Sequence, residues 1–94
     1  MFVSAVTIWE IEIKRAHGRL HAPPDVIALV DGSGFERLPI SLEHAREAGS
    51  LPALHKDPFD RMLVAQAHLE RMTLATADAR LGRYGVPVLA VAPS

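Results

Sequence analysis

Residues 55–61, with the sequence HKDPFDR, constrain the fold of this chain more than any other segment. An aspartate followed by proline is typical of a helix start, because aspartate caps the N-terminus and proline tolerates the first helical position. Apolar residues then recur at helical spacing, which predicts a helix from Pro58 to about Glu70 with one broad buried face. A strand-like run, Thr73–Thr76, follows this helix and leads to Asp78. Carboxylates are therefore predicted at the start of a helix and at the end of a strand.

The rest of the chain alternates short strand-like and helix-like segments. Three further strands are predicted at Phe2–Val6, Phe35–Ile40 and Val86–Val91. Four further helical segments are predicted at Thr7–His17, Val26–Val30, Leu42–Ala48 and Asp78–Gly82. This alternation predicts a single α/β domain over residues 1–94, with a parallel sheet and flanking helices.

Polar residues and glycines mark where these helices begin and end. Thr7 and Glu10 match a capping box, with the threonine as N-cap and the glutamate three positions later. Asp25 is predicted to open the second helix and Ser41 to cap the third. Gly49 is predicted to close the third helix.

Composition excludes several classes of protein. With 94 residues and 49% hydrophobic residues, the chain can fold as one small domain. It has no apolar run of the roughly 18 residues that span a bilayer, and its N-terminus lacks the basic region of a signal peptide. The absence of cysteine excludes disulfides and thiolate metal sites, and it fits a cytoplasmic location. A net charge of −1 argues against non-specific binding to long nucleic acids, although Lys14, Arg15 and Arg19 form a local basic cluster.

Three carboxylates are predicted to converge. Ligand sites of open α/β sheets lie beyond the carboxyl ends of the strands. Glu10 lies one turn into the helix after the first strand, Asp60 lies in the first turn of the long helix, and Asp78 directly follows a strand. Three like charges in one pocket repel each other unless a cation neutralises them. Mg²⁺ or Mn²⁺ suits such an all-oxygen site and retains waters that can act as nucleophiles.

Each of these residues also has a purely structural interpretation. Glu10 and Asp78 can cap helical segments, Asp57 can be an N-cap alone, and Asp60 can compensate the helix dipole. The metal-site hypothesis therefore depends on three of these carboxylates sharing one crevice.

Other residues are candidate substrate contacts. His55 can orient a substrate phosphate or simply be solvated, and Lys14 lies in the basic cluster. Arg61 can contact an RNA phosphate, although a salt bridge to a carboxylate is the favoured interpretation. Trp9 is expected in the core rather than as a platform for base stacking.

These residues resemble a known family. Residues 2–11 (FVSAVTIWEI), the 55–61 segment and residues 76–78 (TAD) look like motifs of the PIN domain, in the same order and at similar spacing. More narrowly, they resemble the VapC-type toxins of bacterial type II toxin–antitoxin modules. The resemblance implies a Mg²⁺- or Mn²⁺-dependent endoribonuclease, a hydrolase in which metal-activated water attacks an RNA phosphodiester.

The resemblance also implies site residues and partners. The second, third and fourth acidic positions of the family fall on Glu10, Asp60 and Asp78. The implied partners are RNA, a cognate VapB-type antitoxin that covers the acidic groove, and a further copy of the chain in a homo-oligomer such as a dimer. No membrane partner is implied.

The chain departs from the family pattern at its N-terminus. Family members begin with an aspartate-bearing strand that lies at the centre of the sheet, and no segment here corresponds to it. Three explanations of this missing strand remain open. The start of the chain can be misplaced, or the chain can be a degenerate toxin. Alternatively, the Phe2 strand or another chain can fill the gap in the sheet. Loss of a central strand leaves unpaired strand edges and removes one metal-binding carboxylate, so reduced nuclease activity and self-association are expected.

Two other hypotheses remain open on the sequence. The chain can be a catalytically inactive PIN remnant that only binds antitoxin or RNA. Alternatively, its carboxylates are only helix caps in an unrelated small α/β domain. If added Mg²⁺ or Mn²⁺ did not change the thermal stability of the folded protein, the hypothesis that the carboxylates are only helix caps would be favoured.

Overall fold

The computed structural model describes residues 1–76 and 78–90, in which short strands alternate with helices. The elements are β1 (Phe2–Ser4), α1 (Ala5–Ala16), α2 (Val26–Gly32), β2 (Glu36–Leu38), α3 (Leu42–Ser50), α4 (Pro58–Leu69), β3 (Leu74–Thr76), a 3₁₀ helix (Ala79–Tyr84) and β4 (Val88–Ala90). The predicted α/β fold class is therefore confirmed. None of the helices in these described stretches is long and apolar enough to cross a lipid bilayer.

The strands form two parallel pairs. β1 pairs with β2, with Phe2 opposite Glu36 and Ser4 opposite Leu38. β3 pairs with β4 from Leu74 opposite Val88 onwards. Within the described residues each strand has one partner strand, so there are two two-stranded sheets. Parallel pairing agrees with the prediction, while the lost central strand stays a prediction.

The chain divides into two compact units, and each is considered by itself. The first unit spans Met1–Ile40 and contains β1, α1, α2 and β2. The second unit begins at Ser41 and contains the remaining elements.

In the first unit, β1 passes directly into α1. Ser4 is the N-cap, and its side-chain oxygen accepts a hydrogen bond from the Val6 N–H at 3.0 Å. The predicted capping box of Thr7 and Glu10 is wrong, because both residues lie inside a helix that has already begun at Ala5. α1 ends at Ala16, one residue before the predicted end, with His17 as its C-cap.

Trp9 lies on an exposed part of α1. Its side chain is 59% exposed, so the prediction that it belongs to the core is wrong. It contributes to the wall of an apolar cavity of about 510 Å³ within the first unit. Other residues of the cavity wall are Val3, Ile8, Ile27, Val30 and Leu38.

In the second unit, α3 packs against α4. Ser41 caps α3 as predicted, and His44 completes a capping box. Gly49 does not end this helix as predicted, since α3 continues to Ser50, whose hydroxyl donates to the carbonyls of Arg46 and Glu47. The helix is therefore longer than the glycine signal indicated.

α4 begins at the predicted residue. The Asp57 carboxylate accepts hydrogen bonds from the backbone N–H groups of Phe59 at 2.9 Å and Asp60 at 3.3 Å. Pro58 occupies the first helical position, where its missing N–H is not needed. The predicted N-cap is confirmed, and the helix ends at Leu69, one residue before the predicted end.

The 3₁₀ helix follows β3 and is anchored in the core of the second unit. Leu81 is only 1% exposed and packs with Val64, Ala67, Leu74 and Val86. This turn extends to Tyr84 rather than to the predicted Gly82, and it ends at Gly85 in the left-handed conformation. Val91, the predicted last residue of the final strand, lies outside the described residues.

Candidate metal centre

His55, Asp60 and Asp78 come together in the second unit. His55 lies in the loop before α4, Asp60 in the first turn of α4, and Asp78 just before the 3₁₀ helix. Each side chain offers one ligand atom, and these three atoms all lie within 4.8 Å of one another. We call this group the HDD cluster.

The imidazole of His55 lies between the two carboxylates. Its Nε2 is 2.8 Å from Asp60 Oδ2 and 3.9 Å from Asp78 Oδ2. The His55 side chain is 19% exposed, so the interpretation of a simply solvated loop histidine is wrong. A contact between His55 and substrate stays a prediction.

Local helix chemistry positions Asp60. Asp57 already accepts the Phe59 and Asp60 N–H groups, so the helix N-terminus does not depend on the Asp60 carboxylate. That carboxylate contacts His55 instead and is 23% exposed. The dipole of α4 also favours a negative charge at this position.

Asp78 has two roles. Its carboxylate caps the 3₁₀ helix by accepting a hydrogen bond from the Arg80 N–H at 3.1 Å. The prediction that Asp78 can cap a helical segment is therefore confirmed. It also forms a bidentate pair with the Arg80 guanidinium, at 2.9 Å from Nε and 2.8 Å from Nη2. These hydrogen bonds from Arg80 lower the pKa of Asp78 to about 2, with a smaller contribution from His55. Asp78 is therefore ionised at neutral pH.

Arg61 holds the loop that carries His55. Its guanidinium donates to four backbone carbonyls, those of Ala48, Leu51, Pro52 and His55, at 2.9 to 3.3 Å. The Tyr84 hydroxyl adds a longer hydrogen bond of 3.4 Å to the same His55 carbonyl. The prediction that Arg61 forms a salt bridge with a carboxylate is wrong for the described part of the chain, because its guanidinium donates to these backbone carbonyls instead. Apart from its position directly after Asp60, nothing in the sequence indicated that Arg61 binds the carbonyls of this loop.

Glu10 and Lys14 lie in the first unit, on α1. Their side chains pair with each other at 3.3 Å, four residues apart on the helix. The structure thus brings together two of the three predicted metal-binding carboxylates, Asp60 and Asp78, and the participation of Glu10 stays a prediction. The same holds for Lys14 as a substrate contact.

The basic cluster around Lys14 is partly engaged in local structure. Arg15 donates to the carbonyls of Ala22 at 3.1 Å and Pro23 at 2.6 Å, and it pairs with Glu12. Its guanidinium therefore holds the segment after α1 in place.

The donor set of the HDD cluster suits a divalent cation. Carboxylate oxygens are ligands of Mg²⁺ and Mn²⁺, and imidazole nitrogen is a common ligand of transition-metal ions. At least one of the carboxylates, Asp78, is held in its ionised form. A cation would also relieve the repulsion between the two like charges.

The family model of the PIN domain matches residues 1–87. The chain therefore belongs to the PIN-domain family. Comparison with curated proteins gave no significant match, and neither did comparison with solved structures. PIN domains are in general nucleases that use divalent metal ions, and the HDD cluster has the donor chemistry that such an ion requires.

Proposed function

We propose that this protein is a cytoplasmic, metal-dependent endoribonuclease of the VapC type, acting as the toxin of a type II toxin–antitoxin pair. The observation that carries the proposal is the close approach of His55, Asp60 and Asp78 in a chain of the PIN family. The narrower assignment to VapC-type toxins is supported by the 55–61 segment and by the TAD sequence at residues 76–78.

Asp60 and Asp78 would hold Mg²⁺ or Mn²⁺, and we propose Glu10 as a further ligand. When bound, the cation supplies an activated water and neutralises charge on the scissile phosphate and the leaving group. Asp78 is ready to act as a ligand because it stays ionised at neutral pH. Arg61 holds the backbone of the loop that carries His55, and the imidazole lies beside both carboxylates, so the site is organised before substrate arrives.

Exposed cations would contact the RNA backbone. Arg80 is 71% exposed beside Asp78, and Lys14 is 50% exposed on α1. Phosphate contacts of this kind position RNA without reading its sequence. His55 is a further proposed contact to a phosphate oxygen, through an N–H of its imidazole that does not face the carboxylates.

The proposed protein partners are a VapB-type antitoxin and a second copy of the chain. The apolar cavity of the first unit supports a binding role, because Trp9 and Ile27 on its wall are 59% and 49% exposed. Exposed apolar surface of this kind often marks a protein-binding site. The antitoxin would keep the nuclease inactive until it is released or degraded.

An RNA-cleavage assay on the full chain tests the enzymatic proposal. Purified wild-type protein should cleave RNA with added Mn²⁺ or Mg²⁺, at the reduced rate expected of a chain that lacks one metal-binding carboxylate, and EDTA should stop the reaction. D60N and D78N should each lower the rate by at least about 100-fold, because each removes a proposed ligand charge.

D25N is the matched control. Asp25 caps α2 in the first unit, outside the HDD cluster, and asparagine caps a helix about as well as aspartate. D25N should keep cleavage within about twofold of wild type. Cleavage that persists in EDTA, or in folded D60N and D78N proteins, would refute the proposed function.

A further inference from the structure

His55 occupies a fixed position in the HDD cluster. Its loop is tied to α4 through the Arg61 guanidinium, which bonds the His55 carbonyl and the carbonyls of Leu51 and Pro52. The imidazole is 19% exposed, and its Nε2 contacts Asp60 at 2.8 Å. The backbone of His55 is therefore anchored, and its partly buried imidazole lies beside the carboxylates that a cation would bind.

The distances around Nε2 match those between ligands of one metal ion. Two adjacent ligands of an octahedral ion, each at about 2.1 Å, lie about 3 Å apart, and opposite ligands lie about 4 Å apart. The distances from His55 Nε2 to Asp60 Oδ2 and to Asp78 Oδ2 are 2.8 and 3.9 Å. One ion can therefore accept all three atoms with small adjustments of the side chains.

Only one tautomer of an imidazole this close to a cation stabilises the bound cation. A proton on Nε2 would point at the ion and repel it, whereas the tautomer with its proton on Nδ1 presents the Nε2 lone pair as a ligand. Because Arg61 holds the backbone of His55 and the imidazole already lies beside both carboxylates, ligation requires this tautomer and only small adjustments of the side chains.

We propose that His55 is a direct metal ligand through Nε2, so that the site has a mixed imidazole–carboxylate donor set and prefers Mn²⁺ to Mg²⁺. This inference rests on the proposed function, because it assumes that the HDD cluster is the metal centre of the nuclease. Mg²⁺ strongly favours oxygen ligands, while first-row transition ions accept imidazole nitrogen. One nitrogen in the donor set is thus enough to separate the two ions.

Mn²⁺ binding to the full chain, followed by calorimetry and pulsed EPR, tests the inference. Wild-type protein should bind Mn²⁺ about tenfold or more tightly than Mg²⁺, and the EPR signal should show coupling to a directly bound ¹⁴N nucleus. H55A should lose the ¹⁴N coupling and bind Mn²⁺ about tenfold more weakly, with Mg²⁺ affinity changed by less than about twofold.

Two variants keep the test decisive. H55Q fills a similar volume and offers an amide oxygen, so it should also lose the ¹⁴N coupling, and it replaces H55A if that variant unfolds. H68A is the matched control, because His68 also contacts a carboxylate of the second unit, Glu47 at 2.8 Å, but lies outside the HDD cluster. H68A should keep the coupling and both affinities.

The outcomes separate this inference from the proposed function. Wild-type protein without ¹⁴N coupling, with Mn²⁺ binding lost in D60N and D78N but unchanged in H55A, overturns His55 as a ligand and leaves the metal centre standing. Mn²⁺ binding that is absent, or unaffected by D60N and D78N, overturns both.

Discussion

Arg80 donates hydrogen bonds from Nε and Nη2 to the two carboxylate oxygens of Asp78, at 2.9 and 2.8 Å. The same carboxylate lies 3.9 Å from His55 Nε2. A guanidinium and an incoming divalent cation therefore compete for Asp78. Arg80 is 71% exposed, so it can turn into solvent or towards a phosphate when it releases Asp78.

We predict that R80Q strengthens metal binding by about two- to fivefold, because the exposed ion pair between Arg80 and Asp78 no longer has to be broken. Titration calorimetry with Mn²⁺ measures this change. R83Q is the control, since Arg83 lies in the same 3₁₀ helix and, within the described residues, makes no ion pair with Asp78. Weaker Mn²⁺ binding in R80Q than in R83Q would contradict competition between Arg80 and the metal.

R80Q should also raise the pKa of Asp78 from about 2 towards its ordinary value of 3.8, because the largest cause of the lowered pKa is removed. The lowered pKa means that the ionised pair stabilises the folded state above about pH 3.8 and that this contribution is lost as the pH falls through about 2. Carboxyl NMR titration of wild-type and R80Q proteins without metal measures the shift. An unchanged Asp78 pKa in R80Q would show that Arg80 does not hold the carboxylate in solution.

The sequence predicted α4 and its cap well because the signals there are local and agree. Asp57, the following proline and the apolar periodicity all favour the same start, so no tertiary contact was needed to choose it. The parallel direction of β3 and β4 also followed from the alternation of strands and helices, whereas the sequence did not specify which strands pair. The sequence also predicted that Asp60 and Asp78 lie close together, because ligand sites of α/β sheets lie beyond the carboxyl ends of the strands.

Competing local signals and long-range packing explain the errors. Ser4 and Thr7 can each cap α1, and the sequence alone did not show that β1 ends early enough for Ser4 to do so. Trp9 is a large, mostly apolar residue of the kind often found in cores. Which face of α1 other elements cover depends on long-range packing, and Trp9 is left exposed. The role of Arg61 depends on four carbonyls of an irregular loop, which leave no pattern in the sequence.

We predict that R61K destabilises the protein by about 1–3 kcal/mol and weakens Mn²⁺ binding by about tenfold, because lysine cannot reproduce the fork of hydrogen bonds to the carbonyls. Urea unfolding and calorimetry measure the two effects. R46K is the control, since Arg46 lies on an exposed part of α3 and should change both quantities little. Equal stability and Mn²⁺ affinity in the two variants would refute a positioning role for Arg61.

D57A should lower the free energy of unfolding by about 0.5–2 kcal/mol, because two N–H groups of the first turn of α4 lose their acceptor. D57S retains a capping oxygen and should recover most of this loss, as measured by urea denaturation. Because Asp57 acts here as a cap, folded D57A should keep its Mn²⁺ affinity within about twofold. A large loss of affinity in D57S as well would instead place Asp57 among the metal ligands.

Leu81 connects the core to the position of Asp78. L81A should cost about 2–5 kcal/mol of unfolding free energy, because a side chain that is 1% exposed leaves a cavity among Val64, Ala67 and Val86. L89A is the control in the same unit, since Leu89 is 59% exposed and its truncation should cost less than about 0.5 kcal/mol. Folded L81A should also bind Mn²⁺ more weakly than L89A, since the 3₁₀ helix that Asp78 caps loses its anchor. If calorimetry gave the same Mn²⁺ affinity for both variants, the position of Asp78 would not depend on this core contact.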